Sequence, residues 1–365
     1  MGEYQQIPPQ IPLWLDCDPG HDDACAILLA AYHPSLDLIG ISTVHGNASL
    51  ANITVNALSV LEAIGKPKLP VIPGSARPFC RLAHTASATH GASGLAGTSL
   101  LPEPSRSALT HCNAILEMRD ALRAQPKDTA WLVATGPLTN IALLFALDPD
   151  LAHHIAGLSI MGGAIGGDFT DVIMGRPPEL DSRTGATQKR IGNRTPWAEF
   201  NIWADPESAR AVLQNPLLQP KTTLITLDVT HQAYANPDVQ NTLLHGAHGP
   251  TRLRTMFNEL LMFFAERYAD VYDLTQGPPL HDPIAVAVLL GTQMDEAMRI
   301  GFNDRGGERW NVDVVLEGEQ LGRTVATKAE SGKGVTIPRS LDLAQFWRSL
   351  ESCMARADEA TGYAK

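Results

Sequence analysis

Short apolar runs of strand length alternate with longer apolar-rich runs of helical length over most of this chain. That alternation is the mark of a mostly parallel sheet with helices on its faces. Strands are predicted at Leu13–Cys17, Leu36–Val44, Val71–Pro73, Ala130–Ala134, Gly157–Met161 and Thr223–Leu227. Helices are predicted over Asp22–Tyr32, Leu50–Ile64, Cys112–Ala124, Leu138–Ala146, Pro206–Leu213, Thr251–Tyr272 and Pro283–Leu290. The C-terminal part adds strands near Arg309–Leu316 and Gly322–Thr327 and a last helix near Leu341–Ala357, all of which read as structural. No internal repeat or low-complexity linker divides the chain. The expectation is one α/β domain over residues 1–365, built on an open, mostly parallel sheet.

Two stretches break the rhythm. Residues 77–107 are rich in Gly, Ala, Ser, Thr and Pro and carry a lone His90 in a glycine-flanked turn. Residues 164–192 combine glycines, Pro177-Pro178 and mixed charge, and begin Ala164-Ile165-Gly166-Gly167-Asp168. Loops of this length in a compact domain are functional lids or excursions. The first reads as a lid because of its histidine, the second as a flexible surface insertion.

Composition narrows the function classes. With 365 residues, 44% hydrophobic and 18% charged, the chain is an ordinary globular protein. A formal charge of −11 argues against a nucleic-acid partner, which needs clustered Lys and Arg. No basic run supports a membrane-surface role, and no apolar run approaches the roughly 18 residues of a membrane span. The cysteines, at 17, 25, 80, 112 and 353, are scattered and form no CxxC pair, so a reducing, cytoplasmic location is expected. The start, Met1-Gly2-Glu3-Tyr4-Gln5-Gln6, lacks the basic and apolar regions of a signal peptide.

The candidate chemistry is densest in Asp16-Cys17-Asp18-Pro19-Gly20-His21-Asp22-Asp23. Four carboxylates there follow a buried strand and open a buried helix, where open α/β sheets place their ligand crevice. Two unit charges about 4 Å apart repel by roughly 4 kcal/mol at an effective dielectric of 20, so something positive is required among them. An oxygen-only set suits calcium or magnesium. Enrichment of Asp at a helix N-terminus would explain Asp22 and Asp23 but not Asp16 and Asp18, which precede the turn. Other polar groups fall just past strand ends: His45-Gly46-Asn47, Thr135-Gly136-Pro137-Leu138-Thr139-Asn140 with a helix expected to begin at Pro137, Met161-Gly162-Gly163, Asn193 to Asn201, and His281-Asp282-Pro283. Individually each serves a turn or cap as readily as a reaction. Strand ends on one edge of a parallel sheet, however, converge on one crevice.

Taken in order, these motifs closely resemble those of nucleoside hydrolases of the inosine–uridine-preferring group, over roughly residues 12–290. The resemblance implies an open α/β fold holding one Ca2+ ion. It implies Asp18, Asp23, Asp282 and the Thr135 carbonyl as metal ligands, and Asp16 as their support. Asp22, Asn47, Asn193, Glu199, Asn201 and Asp282 would hold the ribose hydroxyls, and Met161 and Phe200 would line the apolar side. The implied reaction is hydrolysis of the N-glycosidic bond of ribonucleosides, purine or pyrimidine, to ribose and free base, in nucleoside salvage. A water beside Asp18 would be the nucleophile, with Asp18 as general base, and His281 would serve as general acid toward the base. His90, Tyr268 and Tyr272 are further candidates for that end of the site. The family forms dimers and tetramers, so a homo-oligomer is expected. The link between Gly163 and Gly192 is longer than the family's usual one, which bears on base preference and subunit contacts. A haloacid-dehalogenase-type phosphatase also uses Asp-x-Asp at a strand end, but Asp22 and Asp23 would repel a phosphate. A silent nucleoside-binding protein would be expected to lack either Asp18 or His281.

Overall fold

The computed structural model describes residues 10–167, 169–175, 179–180, 187–188, 190–330 and 332–362. Asp168 and the Pro177-Pro178 pair, singled out above in the 164–192 stretch, lie outside the described residues. The first half of the chain gives β1 (Ile11–Cys17), α1 (His21–Tyr32), β2 (Leu36–Thr43), α2 (Leu50–Ala63) and β3 (Val71–Pro73). It continues through α3 (Ser87–His90), α4 (Ala114–Arg123), β4 (Trp131–Ala134), α5 (Thr139–Leu147) and β5 (Gly157–Met161). A small pair, β6 (Glu179–Leu180) and β7 (Thr187–Gln188), precedes α6 (Phe200–Ala204), α7 (Pro206–Leu213) and β8 (Thr222–Ile225). Then come α8 (Leu227–Thr230), α9 (Pro237–His245), α10 (Arg252–Tyr272) and α11 (Asp282–Ala287). The chain closes with β9 (Phe302–Asn303), β10 (Arg309–Val314), β11 (Thr324–Lys328), β12 (Val335–Thr336), β13 (Ser340–Leu341) and α12 (Leu343–Ala360).

The main sheet runs β11-β10-β12-β8-β5-β4-β1-β2-β3. Every pairing from β3 across to β12 is parallel, and only β10 pairs antiparallel, with β11 and β12. The open, mostly parallel sheet is therefore as expected. After β1 the chain winds one way to β2 and β3, then returns to β4 on the other flank of β1. The β1/β4 boundary is thus a topological switch point, and the crevice beyond its carboxyl ends is where such sheets bind ligands. Both faces of β1 are buried, as its apolar residues Leu13, Trp14 and Leu15 require.

Several differences from the sequence reading have local causes. The helix expected from Pro137 starts at Thr139, because Pro137 and Leu138 serve the turn that leaves β4. Helix α9 was not expected, although Asn236, whose side chain accepts from Val239 N, and Pro237 at the first helical position form a regular start. The 77–107 stretch is tied down: Asn56 Nδ2 donates to Ser93 O at 3.0 Å and Thr98 Oγ1 to Glu259 at 2.5 Å. In the 164–192 stretch the described flanks are packed, not loose at the surface. Phe169 and Met174 are buried, Ile165 N and Gly166 N both donate to Asp228, and the Arg339 guanidinium lies 3.6 Å over the Phe169 ring.

Helix α10 is held against α12 by a buried ion pair. Arg254 donates to Asp358 at 2.5 Å and to Glu351 at 3.0 Å, while Thr251 Oγ1 also donates to Asp358. Removing one member of such a pair leaves an uncompensated buried charge. Asp358→Ala should therefore cost about 3–5 kcal/mol of stability, read as a lowered midpoint of urea unfolding. A loss below about 1 kcal/mol, the range of exposed pairs, would show that the pair does not anchor α10.

Candidate active site

The carboxylates gather at the switch point. Asp16 ends the apolar run of β1, and its Oδ1 accepts from Ser42 Oγ at 2.5 Å and from Asn140 Nδ2 at 2.7 Å. Ser42 in turn accepts from Trp14 Nε1 at 2.9 Å, so the core of the sheet orients this aspartate. Two residues on, Asp18 Oδ2 accepts from Asn47 N at 2.7 Å. Helix α1 then opens with Gly20 N donating to Asp23 Oδ2 at 2.9 Å, and Thr135 Oγ1 donates to Asp23 Oδ1 at 2.8 Å. Asp282 enters at the start of α11, which packs on α1. Across the sequence gap, His281 N donates to Asp22 at 3.3 Å.

All five carboxylates are buried, and none forms an ion pair with Lys or Arg among the described residues. Burial is the main reason their acidities fall: Asp16 and Asp22 are each pushed up to about 7, and Asp18 and Asp282 well above the usual carboxylate range. Oxygens of Asp22, Asp23 and Asp282 come within 4.8 Å of one another, a spacing ionised carboxylates do not hold without a cation or proton between them. Asp18 Oδ1 and Asp16 Oδ2 are buried without a hydrogen-bond partner. An unpaired buried acceptor of this kind fits a cation as its missing partner. Room is made for Asp18 by glycine: a Cβ at Gly46 would overlap its carboxylate, and one at Gly136 would lie 2.7 Å from Oδ1. The all-oxygen donor set, including the Thr135 carbonyl, fits a hard divalent cation. Asp18, expected as a ligand, stands beside the closest trio; Asp22, expected on ribose, belongs to it.

A cavity of about 380 Å³ opens from this cluster and is lined by Asp22, Asn47, Thr135, Asn193, Glu199, Asn201, His281 and Asp282. Met161 and Phe200 form part of its apolar wall, as do Phe264 and Tyr268. Asn201 Nδ2 donates to the Thr135 carbonyl at 2.7 Å, which leaves that carbonyl a second lone pair. Asn193 Oδ1 accepts from Phe200 N at 2.8 Å. Glu199 caps α6, accepting from Asn201 N, Ile202 N and Gly163 N, so much of its acceptor capacity is already used. Every residue expected to bind ribose therefore lines this cavity, as do Thr135 and Asp282 of the expected metal ligands, while Asp18 and Asp23 stand in the carboxylate cluster without lining it.

The histidines are less simple. His281 Nε2 lies 2.7 Å from the Tyr268 hydroxyl and Nδ1 lies 2.7 Å from Thr230 Oγ1. Burial, with His231 nearby, holds His281 well below the ordinary imidazole range, so it is neutral here. His90 also lines the cavity, but its Nδ1 is engaged 3.1 Å away by His21 Nδ1. Thr230, Phe264, Arg190 and Arg194 were not singled out by sequence, although Thr230 orients His281 and the others line the cavity. Phe264, Tyr268 and Tyr272 recur at four-residue spacing on α10, a signal that could have revealed Phe264.

The family profile described as inosine-uridine preferring nucleoside hydrolase matches residues 13–348. A uridine nucleosidase of Saccharomyces cerevisiae is 37% identical over 357 residues, covering 96% of this chain and 97% of the relative. A pyrimidine-specific ribonucleoside hydrolase, RihA, of Citrobacter koseri is 38% identical over 307 residues, covering 84% and 88%. Among solved structures, a purine-preferring ribonucleoside hydrolase from Gardnerella vaginalis superposes with a TM-score of 0.75 at 25% identity, covering 95% of this chain and 98% of that one.

Gly46 gives the cluster a local test. Gly46→Ala should displace Asp18 and weaken divalent-cation binding by about 10–100-fold, the cost of disturbing groups that orient metal ligands. Titration calorimetry with calcium measures this, with circular dichroism as the check on folding. Unchanged affinity in a folded variant would mean that Asp18 does not contribute to cation binding.

Proposed function

Because this chain belongs to the inosine-uridine preferring nucleoside hydrolase family and is a ribonucleoside hydrolase, we propose that it cleaves the N-glycosidic bond of ribonucleosides with one calcium ion as cofactor. The products are ribose and a free base, a reaction suited to nucleoside salvage. The observation that carries the cofactor is the unpaired, buried Asp18 Oδ1 beside the Asp22, Asp23 and Asp282 trio. Asp18, Asp23, Asp282 and the Thr135 carbonyl would hold the ion. Calcium there would supply the positive charge that the carboxylates lack and make a nearby water more acidic.

The residues divide the remaining work. Asp18 takes the proton from the attacking water as general base. Asp22, Asn47, Asn193, Asn201 and Asp282 grip the ribose hydroxyls, with Glu199 holding α6 in place behind them. The carboxylate-rich wall is preorganised to favour positive charge developing on the sugar. At the other end, His281 and Tyr268 face the base. Because His281 is neutral, it offers the departing base a hydrogen-bond donor relayed through the Tyr268 hydroxyl. Met161 and Phe200 support the base-side wall.

Ribose release from uridine, cytidine and inosine, run beside a phosphomonoester control, tests the activity. Calcium at 100 times its Kd should add about 2.7 kcal/mol of stability over chelated protein, and no stabilisation by calcium would remove the cofactor. Uridine should exceed 2′-deoxyuridine in kcat/KM by about 10⁴-fold or more, since a site built around a hydroxyl is left with unpaired groups without it. A ratio under about tenfold would withdraw the ribose assignments. His281→Ala should slow uridine hydrolysis by about 10²–10⁴-fold while sparing p-nitrophenyl riboside, whose leaving group needs no help. Equal losses on both substrates would place His281 with the sugar.

A further inference from the structure

Residues 164–175 open the long link between Gly163 and Gly192, and they are firmly held although no described residue among them lines the cavity. The hold comes from one short segment. The carboxylate of Asp228, buried in the first turn of α8, accepts from Ile165 N and Gly166 N at 2.8 Å each, so both of its oxygens are committed to this flank. Two consecutive N–H groups on one carboxylate make an anchor that an amide side chain, with a single acceptor oxygen, reproduces only in half. The Asp228 carbonyl accepts from Thr170 Oγ1 at 3.1 Å, and His231 Nδ1 donates to the Ile173 carbonyl at 3.0 Å. Beyond Ile173 the flank reaches the end of α10, where a Cβ at Gly175 would lie 2.8 Å from the Tyr272 carbonyl.

The other side of the same segment carries His281. Thr230 Oγ1 meets His281 Nδ1 at 2.7 Å, and the His231 ring packs 5.4 Å from that of His281. Further along, Leu280 N donates to the Ala233 carbonyl at 3.0 Å and Ala235 N to the Pro278 carbonyl at 2.9 Å, with Tyr234 and Pro279 paired between them. The loop that delivers His281 is thus laced to residues 230–235, while its own tie to the carboxylate cluster, His281 N to Asp22, is longer at 3.3 Å. We propose that Asp228 and His231 are positioning residues through which the 164–175 flank sets the place of His281, so that the long link acts on departure of the base and not on binding of the sugar. Placement alone carries such an effect, since a misplacement of about 1 Å costs about 10²-fold in rate. The leaving-group part rests on the nucleoside-hydrolysing reading; the mechanical link between flank and His281 loop does not.

Asp228→Asn keeps the size of the side chain and halves the anchor. In the calcium-loaded enzyme it should lower kcat for uridine by about 10–100-fold with KM within about twofold, the pattern of an interaction used only in the transition state. p-Nitrophenyl riboside, whose leaving group needs no help, should be hydrolysed within about twofold of the unmodified rate. Equal losses on the two substrates, or a rise in KM alone, overturn the proposal. His231→Phe keeps a ring against His281 but gives up the Ile173 bond, and it should show the same selective loss; unchanged kinetics would remove His231 from the role. Should Asp228→Asn fail to fold, His231→Phe carries both tests. Hydrogen exchange gives a readout independent of turnover. The Leu280 and Ala235 amides should exchange about tenfold faster in the variant, with those of β2 unchanged. No acceleration at this loop, or the same acceleration in β2, overturns the link. Absence of nucleoside turnover in the unmodified protein would refute the activity, and exchange would still decide whether flank and loop are joined.

Discussion

Five carboxylates are buried at one sheet edge, and the surrounding protein supplies hydrogen bonds in place of cationic side chains. Desolvating an ionised carboxylate costs several kcal/mol even after relaxation, and like charges nearby add to it. Much of the local architecture reads as an answer to that cost. Asp16 is met by Ser42 and Asn140, Asp18 by the Asn47 amide, and Asp23 by Gly20 N and Thr135. Asp22 and Asp23 also occupy the first turn of α1, where free N–H groups favour anions. These partners moderate the charge without neutralising it, and the orphaned Asp18 and Asp16 oxygens mark what is left over.

The requirement reaches into the core. Trp14 is buried in the sheet and donates to Ser42, which donates to Asp16. On the far side, Asn140 at the start of α5 binds Asp16 and the Thr43 carbonyl and accepts from Ser75 N. Strands β1 and β2 and helix α5 are therefore joined through polar side chains at the point where the carboxyl ends of the strands must stay in register. Thr139 does similar work one residue earlier, linking His45 at 2.9 Å to Asp205 at 2.6 Å. Networks of this kind rigidify when fully satisfied and become costly when broken.

How much of this could be read from sequence depended on whether the cause was local. The spans Val71–Pro73, Gly157–Met161 and Pro206–Leu213 fall where apolar pattern and punctuation agree, and they are observed at those limits. The helix after Pro137 begins two residues later than its proline implies, because a proline that suits a first helical turn also suits the turn before it. Strand β12 is two residues long and exists only through its neighbours, so periodicity could not register it. The metal and ribose candidates were legible because their motifs sit directly after strands, and parallel strands share an edge. Thr230 was not, because its relation to His281 arises from the packing of α8 against a distant loop.

Hydrogen positions are the level at which sequence says least and geometry says most. Four buried histidines, at 21, 90, 231 and 281, line the cavity or stand just behind its wall, and burial pushes each below the ordinary imidazole range. None then adds a positive charge to rival a cation in the carboxylate cluster. Their value lies in direction. His231 lies 3.0 Å from the Ile173 carbonyl through Nδ1, which must donate, so its hydrogen serves the 164–192 stretch and its Nε2 stays bare. His281 is flanked by two hydroxyls that can turn either way, so its hydrogen follows the ligand. His90 has no hydroxyl partners among the described residues: its Nδ1 lies 3.1 Å from His21 Nδ1, and His21 Nε2 meets the Ala96 carbonyl at 2.7 Å. The cavity wall thus carries one imidazole flanked by hydroxyls that can turn and another held between a second imidazole and the start of α1.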